Sequence, residues 1–341
     1  MTDKILSFMD MVDLCDNFHI SSSKAHDLIP FRASANGAAL GLLFPSVVDA
    51  LVSHNEYRGS QNLPVHWDIR RDLPIPSVSF VSEITTPAAR THAIHDTTTW
   101  WRDTGLFSNV ISPKLWRGEW YAIYTDPFAT LSLEGGDPLK EEENPNPNYV
   151  LSIERAASAL FGVVTYGIHM TVYEEEDGEV RIWVPRRAAT KQTWPGYLDN
   201  SIAGGIPARM SPRCSMVKES AEEGSLSETL VGQHSKAVGA VSYFYQTKNG
   251  WLQPEVEFVY DMRVPGSAHV KLSPGDNEVE AFKLMPLQEV IQHMHAGEFK
   301  PNCAVVLIDF LIRHGYITPD NEPHFLEIQT RLHGRFDHDR W

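Results

Sequence analysis

The rhythm of apolar and polar residues changes partway along the chain. In the first 140 residues helical and strand signals are mixed, and no repeat emerges. Ile5, Phe8, Met9, Val12 and Leu14 suit one face of a short amphipathic helix near the N-terminus. Positions 40–44 form a short apolar strand candidate, and Pro45-Ser46 then opens a helix through Leu51. From Tyr149 onward the pattern is cleaner. Segments 163–173 and 179–184 read as strands joined across an acidic turn that ends at Asp177-Gly178. Val180, Ile182 and Val184 alternate with polar partners, which predicts one buried face. A second hairpin joins 238–246 to 256–264 around an Asn249-Gly250 turn. Two helices follow. One has Pro286 at its first position and Gly297 at its end; the other runs from about Asn302 to His314 and is closed by Gly315.

Strands flanking a helix, then further helices, predict an α+β chain with a mixed sheet between helices. The charged, Pro- and Asn-rich run 140–148 has no apolar periodicity and predicts an exposed linker. It separates a smaller N-terminal α/β domain, 1–140, from a second domain beginning at 149.

Charge and cysteine content narrow the functional classes. Among 341 residues, Asp and Glu outnumber Lys and Arg by 44 to 29, a formal charge of -15. That balance argues against nonspecific binding to nucleic acid or anionic membranes. Cys15, Cys214 and Cys303 are widely spaced and odd in number, which predicts no disulfide framework and a reducing compartment. No stretch approaches the ~20 apolar residues of a membrane span, and the first residues do not read as a signal peptide. Cytoplasmic location is the expectation.

The chemistry concentrates between Gly204 and Leu226, GGIPARMSPRCSMVKESAEEGSL. Glu219, Glu222 and Glu223 stand three and four apart, so a helix brings them onto one face. An E-x-x-E-E run alone is ordinarily a solvated helix face. Clustered carboxylates repel unless a cation sits among them, and Mg²⁺ (or Mn²⁺) is the natural occupant because it takes hard oxygen ligands. Val217, Ser220, Ala221 and Gly224 form the small opposite face expected to pack on a sheet. Gly204-Gly205 reads as a tight turn whose carbonyl reaches the same ion.

This loop and helix resemble the Nudix box, G-x5-E-x7-R-E-U-x-E-E-x-G-U, where U is bulky and apolar. Lys218 stands at the Arg, Glu219 at the first helical Glu, Glu222 and Glu223 at the paired Glu, and Leu226 at the last U. The chain departs from the box at Met210 (the isolated loop Glu), at Ser220 (the helix U) and at Ser225 (the second Gly). The segments IERAASALFGVVTYGIHM, RRAATKQTWPGYLDNSIAGGIPA, GAVSYFY and EFKPNCAVVLIDFLIRHG extend the likeness. Together they resemble the Nudix branch related to the N-terminal part of fungal thiamine pyrophosphokinases, and FMDMVDLCDNF and WRGEWYAIY resemble that family's own N-terminal domain. The resemblance implies a Nudix α/β/α sandwich over 149–320, with 321–341 as a C-terminal tail. It also implies Mg-dependent cleavage of a small-molecule diphosphate such as thiamine diphosphate or its damaged forms. An isoprenoid diphosphate substrate and a weakly active binding module remain alternatives.

Such hydrolysis requires charge neutralisation, an oriented water and a stabilised leaving group. Glu219 and Glu223 are the expected metal ligands, with Glu222 as a further ligand and Gly204 lending a carbonyl. Glu219 acting as base is the other reading, and Lys218 would orient it without the bidentate fork of arginine. Arg186, Arg187 and Lys191 are the candidate phosphate cations, and Trp194 the candidate stacking surface. Glu278 or Glu280 would supply an extra carboxylate. The aromatic group Trp100, Trp101, Trp116, Trp120 and Tyr121 reads mainly as core, with Trp100/Trp101 a second candidate wall for a ring.

Overall fold

The computed structural model describes residues 5–20, 27–72, 76–129, 137–140, 146–265 and 270–336. Most of the expected linker, 141–145, lies outside the described residues. The helix α1 (Phe8–Cys15) begins at a capping box between Ser7 and Asp10. It buries Met11, Val12 and Cys15, whereas Ile5 and Leu14 are exposed. Phe8, Met9 and Val12 of the predicted face thus pack on the core, with Met11 and Cys15 beside them, and only Ile5 and Leu14 fall outside it.

The first unit contains β1 (Ile29–Arg32), β2 (Ala39–Leu43), α2 (Pro45–Ser60), β3 (Trp67–Arg70), β4 (Ser77–Phe80) and α3 (Pro87–Thr104). The strands are ordered β2-β1-β4-β3. Proline stands in the first turn of both helices, where its missing N–H costs nothing. Phe31, Leu51, Val78, Ile94 and the fully buried Trp101 form the core. Strand β5 (Trp120–Tyr124) pairs antiparallel with β6 (Tyr149–Glu154). All six residues of β6 are buried, and Val150, Leu151 and Ile153 enter this first core. The helix α3 packs against β6, and β5 pairs along its edge. The run 140–148 therefore connects two paired strands. The short helix α4 (Ser158–Phe161) follows.

The second unit contains β7 (Thr165–Glu176), β8 (Glu179–Arg187), β9 (Ile202–Gly205), α5 (Pro212–Gly224), α6 (Glu228–His234), β10 (Ser235–Gln246), β11 (Leu252–Arg263), β12 (Val279–Pro286), α7 (Leu287–His295), α8 (Pro301–Arg313) and α9 (Phe325–Leu332). The sheet order is β10-β11-β7-β8-β12, with β9 against β7. It is mixed: β7 is parallel to β11 and antiparallel to β8 and β9. Alternation along β7 assigns the layers. Ile168, Met170 and Val172 join Met216 of α5 and Val231 of α6, while Tyr173 joins α1, α7 and α8 on the other side. Helices thus cover both faces of an α+β mixed sheet, as the pattern predicts. Pro286 precedes α7 as its cap, not its first residue, and Pro301 opens α8.

The segment expected to be a C-terminal tail contains α9. Its Ile328 and Leu332 lie in the same core as α1 and α8. Arg331 also bonds Asp13 and Asp16 at 2.6 and 2.9 Å. Phe325, Ile328 and Leu332 recur at helical spacing, which is what draws this segment onto the sheet. The three cysteines are free thiols. No helix among the described residues is long and apolar enough to cross a membrane.

Candidate active site

Gly204 and Gly205 lie in β9 beside β7, not in the tight turn expected for them. Their lack of a side chain serves close approach. A Cβ on Gly204 would lie 2.5 Å from Cδ of Glu219, and one on Gly205 would lie 2.0 Å from the Tyr121 hydroxyl. Ser211 caps α5 by accepting the Cys214 N–H at 3.2 Å, and Pro212 supplies its first residue. The helix packs on β9 through Met216, Ser220 and Gly224, the last so closely that a Cβ would meet Ile202 at 2.7 Å. Ala221, expected on this face, is exposed and Met216 takes its place. Ser225 ends the helix in the left-handed conformation with φ 55°, a role glycine fills at no steric cost.

The helix presents its carboxylates at different depths. Glu223 is buried, and its Oε2 accepts the Ala203 N–H at 2.9 Å. Burial, reinforced by Asp199, pushes its pKa well above the ordinary glutamate value. Glu219 lies over Gly204, and burial raises its pKa against the pull of Lys218. Glu222 is half-exposed at the rim. The Lys218 ammonium stands between the two, 3.2 Å from Glu219 and 2.7 Å from Glu222. Lys218 thus bridges these two carboxylates of its own helix.

A cleft of about 640 Å³ opens over Gly204, Glu219 and Glu222. It joins a second hollow of about 500 Å³, because Arg117, Tyr121, Arg155, Thr165 and Lys300 line both. Loops of the first unit meet the second here, with the Gln192 amide donating to the Lys114 carbonyl at 3.1 Å. Trp194 lines the second hollow with Trp251 and Tyr245, at φ 52° and edge-on to Tyr197. The alternative Trp100/Trp101 wall is not there: Trp101 is in the core and Trp100 stacks on Tyr57.

The three candidate phosphate cations are all engaged. Arg187 pairs with Asp199 at 2.5 Å and donates to the carbonyls of Thr193 and Trp194, so it pins the loop that carries Trp194. Lys191 pairs with Glu278, which lines the cleft, whereas Glu280 on β12 does not. Arg186 is exposed, donates to the Gly196 carbonyl at 2.7 Å and lies outside the cleft. Adjacent strand residues face opposite ways, so Arg186 and Arg187 cannot both serve one site.

A buried polar group behind the cleft escaped the sequence reading. The Tyr243 hydroxyl lies 2.5 Å from Glu255 and 2.6 Å from Glu257. One hydroxyl hydrogen serves one acceptor at a time, so the two carboxylates share this donor. Burial and the neighbouring Glu257 drive the Glu255 carboxyl upward. His169 bonds Asn200 at 2.6 Å and faces Glu257 at 3.6 Å; burial opposes its charge, but Glu257 outweighs burial and raises its pKa. Acids at alternate positions of an apolar strand, Glu255 and Glu257, were the available signal.

The donor set fits a hard divalent cation. The second oxygen of Glu257 is buried without a hydrogen-bond partner, against the hydrogen-only face of Gly167. The Gly204 carbonyl is within 3.1 Å of where a Gly167 Cβ would stand. An orphaned buried carboxylate oxygen is costly without a counter-charge. In the described residues no three acidic, His or Cys side chains already converge as a finished metal site, since Lys218 separates Glu219 from Glu222.

No family model matches the chain. Uncharacterized protein YJR142W of Saccharomyces cerevisiae is 42% identical over 242 residues, 67% of this chain and 64% of that protein. Nudix hydrolase 20, chloroplastic, of Arabidopsis thaliana is 39% identical over 191 residues, 56% of this chain and 50% of its own. Nudix hydrolase 24, chloroplastic, of the same plant is 38% identical over 182 residues, 53% and 48% respectively. The matches therefore span between about half and two thirds of these relatives. Similarity to two Nudix hydrolases over more than half of its length supports the Nudix hydrolase family for this chain.

Proposed function

We propose that the chain is a Mg-dependent Nudix hydrolase that cleaves the anhydride of an organic diphosphate, with a thiamine-like diphosphate as substrate. The observation that carries this reading is the junction of two unlike hollows: carboxylates seated on Gly204 in one, and Trp194, Trp251 and Tyr245 in the other. Glu219, Glu223 and the Gly204 carbonyl would hold the ion, with Glu222 completing the set from the rim. A bound Mg²⁺ neutralises phosphoryl charge and lowers the pKa of water.

The chain's own residues do the rest. Lys218 fixes Glu219, and the backbone N–H of Ala203 fixes Glu223. Water oxygen joins one phosphorus, the P–O bond of the bridge breaks, and the water's proton passes to a carboxylate of this set. The organic monophosphate and inorganic phosphate leave. Trp194 and Trp251 line the hollow where a ring would sit. An aromatic contact is worth about 0.5–2 kcal/mol for a cationic ring, one that would compete with Lys248, whose ammonium lies 5.8 Å from the Trp194 ring centre. Gln192, Asn249, Gln253 and Asn302 line the same hollow. These polar walls disfavour the long apolar tail of a prenyl diphosphate.

A panel of thiamine, nucleoside and prenyl diphosphates, assayed with and without Mg²⁺, tests the reading. Faster turnover of prenyl diphosphates would replace the substrate, and no turnover of any would favour a binding module.

A further inference from the structure

The cleft's cations divide into two kinds. Arg155 pairs with Glu119, Arg187 with Asp199, Lys191 with Glu278, and Lys218 with Glu219 and Glu222. Each must break or share an ion pair to take a phosphate. Arg117 and Lys300 line both hollows, yet the side chain of neither makes an ion pair or hydrogen bond among the described residues. Their backbones are nonetheless fixed. The Arg117 N–H donates to Glu154 at 2.8 Å, and the Lys300 N–H donates to the Leu198 carbonyl at 3.0 Å.

Their origins differ as well. Arg117 belongs to the first unit, just before β5, whereas Lys300 immediately precedes α8. They therefore approach the junction from separate units. The acidic lining surrounds them, with Glu119, Asp199, Glu255 and Glu257 among the residues of the same cleft. Asp199 and Glu255 act on the Lys300 ammonium through space, yet among the described residues neither Lys300 nor Arg117 has a direct ion pair to break when an anion arrives with its own counter-ion.

We infer that Arg117 and Lys300 grip the diphosphate of the substrate at the junction of the two hollows, which makes the first unit a part of the active site. Arg117 supplies a planar fork suited to two phosphate oxygens, and Lys300 adds a point charge from the second unit. The carboxylate half and the aromatic half are then held in register by one anion. This inference rests on the diphosphatase reading and adds the residues that recognise its anion.

Isothermal titration with methylenediphosphonate, whose carbon bridge resists hydrolysis, tests it on the full chain with Mg²⁺ present. Arg117→Gln and Lys300→Gln should each weaken binding about tenfold or more, as loss of a charge-assisted contact does. Lys283→Gln, on the far edge strand and paired with Glu289, should change it less than about twofold. Thermal unfolding of each variant separates a lost contact from a lost fold, and Lys300→Arg should restore most of the affinity. Wild-type affinity in both Gln variants overturns the inference and leaves the hydrolase reading standing. So does a wild type that hydrolyses diphosphates but does not bind the probe. A wild type that neither binds the probe nor hydrolyses any diphosphate overturns both.

Discussion

Glu219 fills the space a side chain on Gly204 would need: a Cβ there would stand 2.5 Å from the Glu219 carboxyl carbon and 2.7 Å from its Oε2. Backbone and carboxylate are in contact only because the strand residue has no side chain. Gly204→Ala should therefore push Glu219 away by about an ångström. Turnover should fall by about 100-fold, with unfolding little changed because the displaced group borders the cleft. Steady-state kinetics beside a melting curve measure both; full activity would place the chemistry elsewhere.

Trp194 lines the aromatic hollow while the loop carrying it is pinned by Arg187. Removing the indole takes away a contact that substrate and transition state share. Trp194→Ala should raise KM several-fold, as the ~0.5–2 kcal/mol of a ring contact allows, and lower kcat much less. A fall confined to kcat would assign Trp194 a different part.

Asp261 ties β11 to α8. Arg313 reaches it with two nitrogens at 2.6 and 3.0 Å, and His314 with a third at 3.0 Å. Burial works against the carboxylate, but these bonds outweigh burial and hold its pKa below the ordinary value of 3.8. A depressed folded pKa contributes stability that is present above the unfolded value and lost as pH falls through the folded one. Asp261→Asn should cost about 2 kcal/mol at neutral pH, less than a fully buried pair because Arg313 keeps Asp309. The difference from wild type should shrink below about pH 4. Urea unfolding at several pH values checks this, and a constant difference would contradict it.

Ser225 holds a left-handed backbone where the box pattern has glycine. Ser225→Gly should stabilise the protein by about 0.5–1 kcal/mol, less whatever its exposed bond to the Ser273 carbonyl contributes. Chemical denaturation measures the difference. No gain would mean that bond offsets the strain.

Local chemistry made α5 legible. The carboxylate spacing and the small buried residues Ser220 and Gly224 all lie within one helix. The turns at Asp177-Gly178 and Asn249-Gly250 likewise carry their own signal, and both glycines take positive φ. What could not be read depends on pairing across long separations. Glu257 reaches the cleft because β11 runs parallel to β7 with Glu257 opposite Gly167. Arg117 arrives because β5 pairs with β6, and Lys300 because α8 begins at that end of the sheet. Arg186 and Arg187 looked equivalent in the sequence, and only strand alternation separates them. Gly204-Gly205 looked like a turn because two glycines permit one; contact with Glu219 and Tyr121 is what requires them.

The most direct test of the proposed chemistry is product release from thiamine diphosphate by the wild type and by Glu219→Gln, with and without Mg²⁺. We predict equal amounts of monophosphate and inorganic phosphate from the wild type only when Mg²⁺ is present, and at least ~100-fold less from the variant. Release that is independent of the metal, or undiminished in Glu219→Gln, would contradict the assignment of this helix as the catalytic centre.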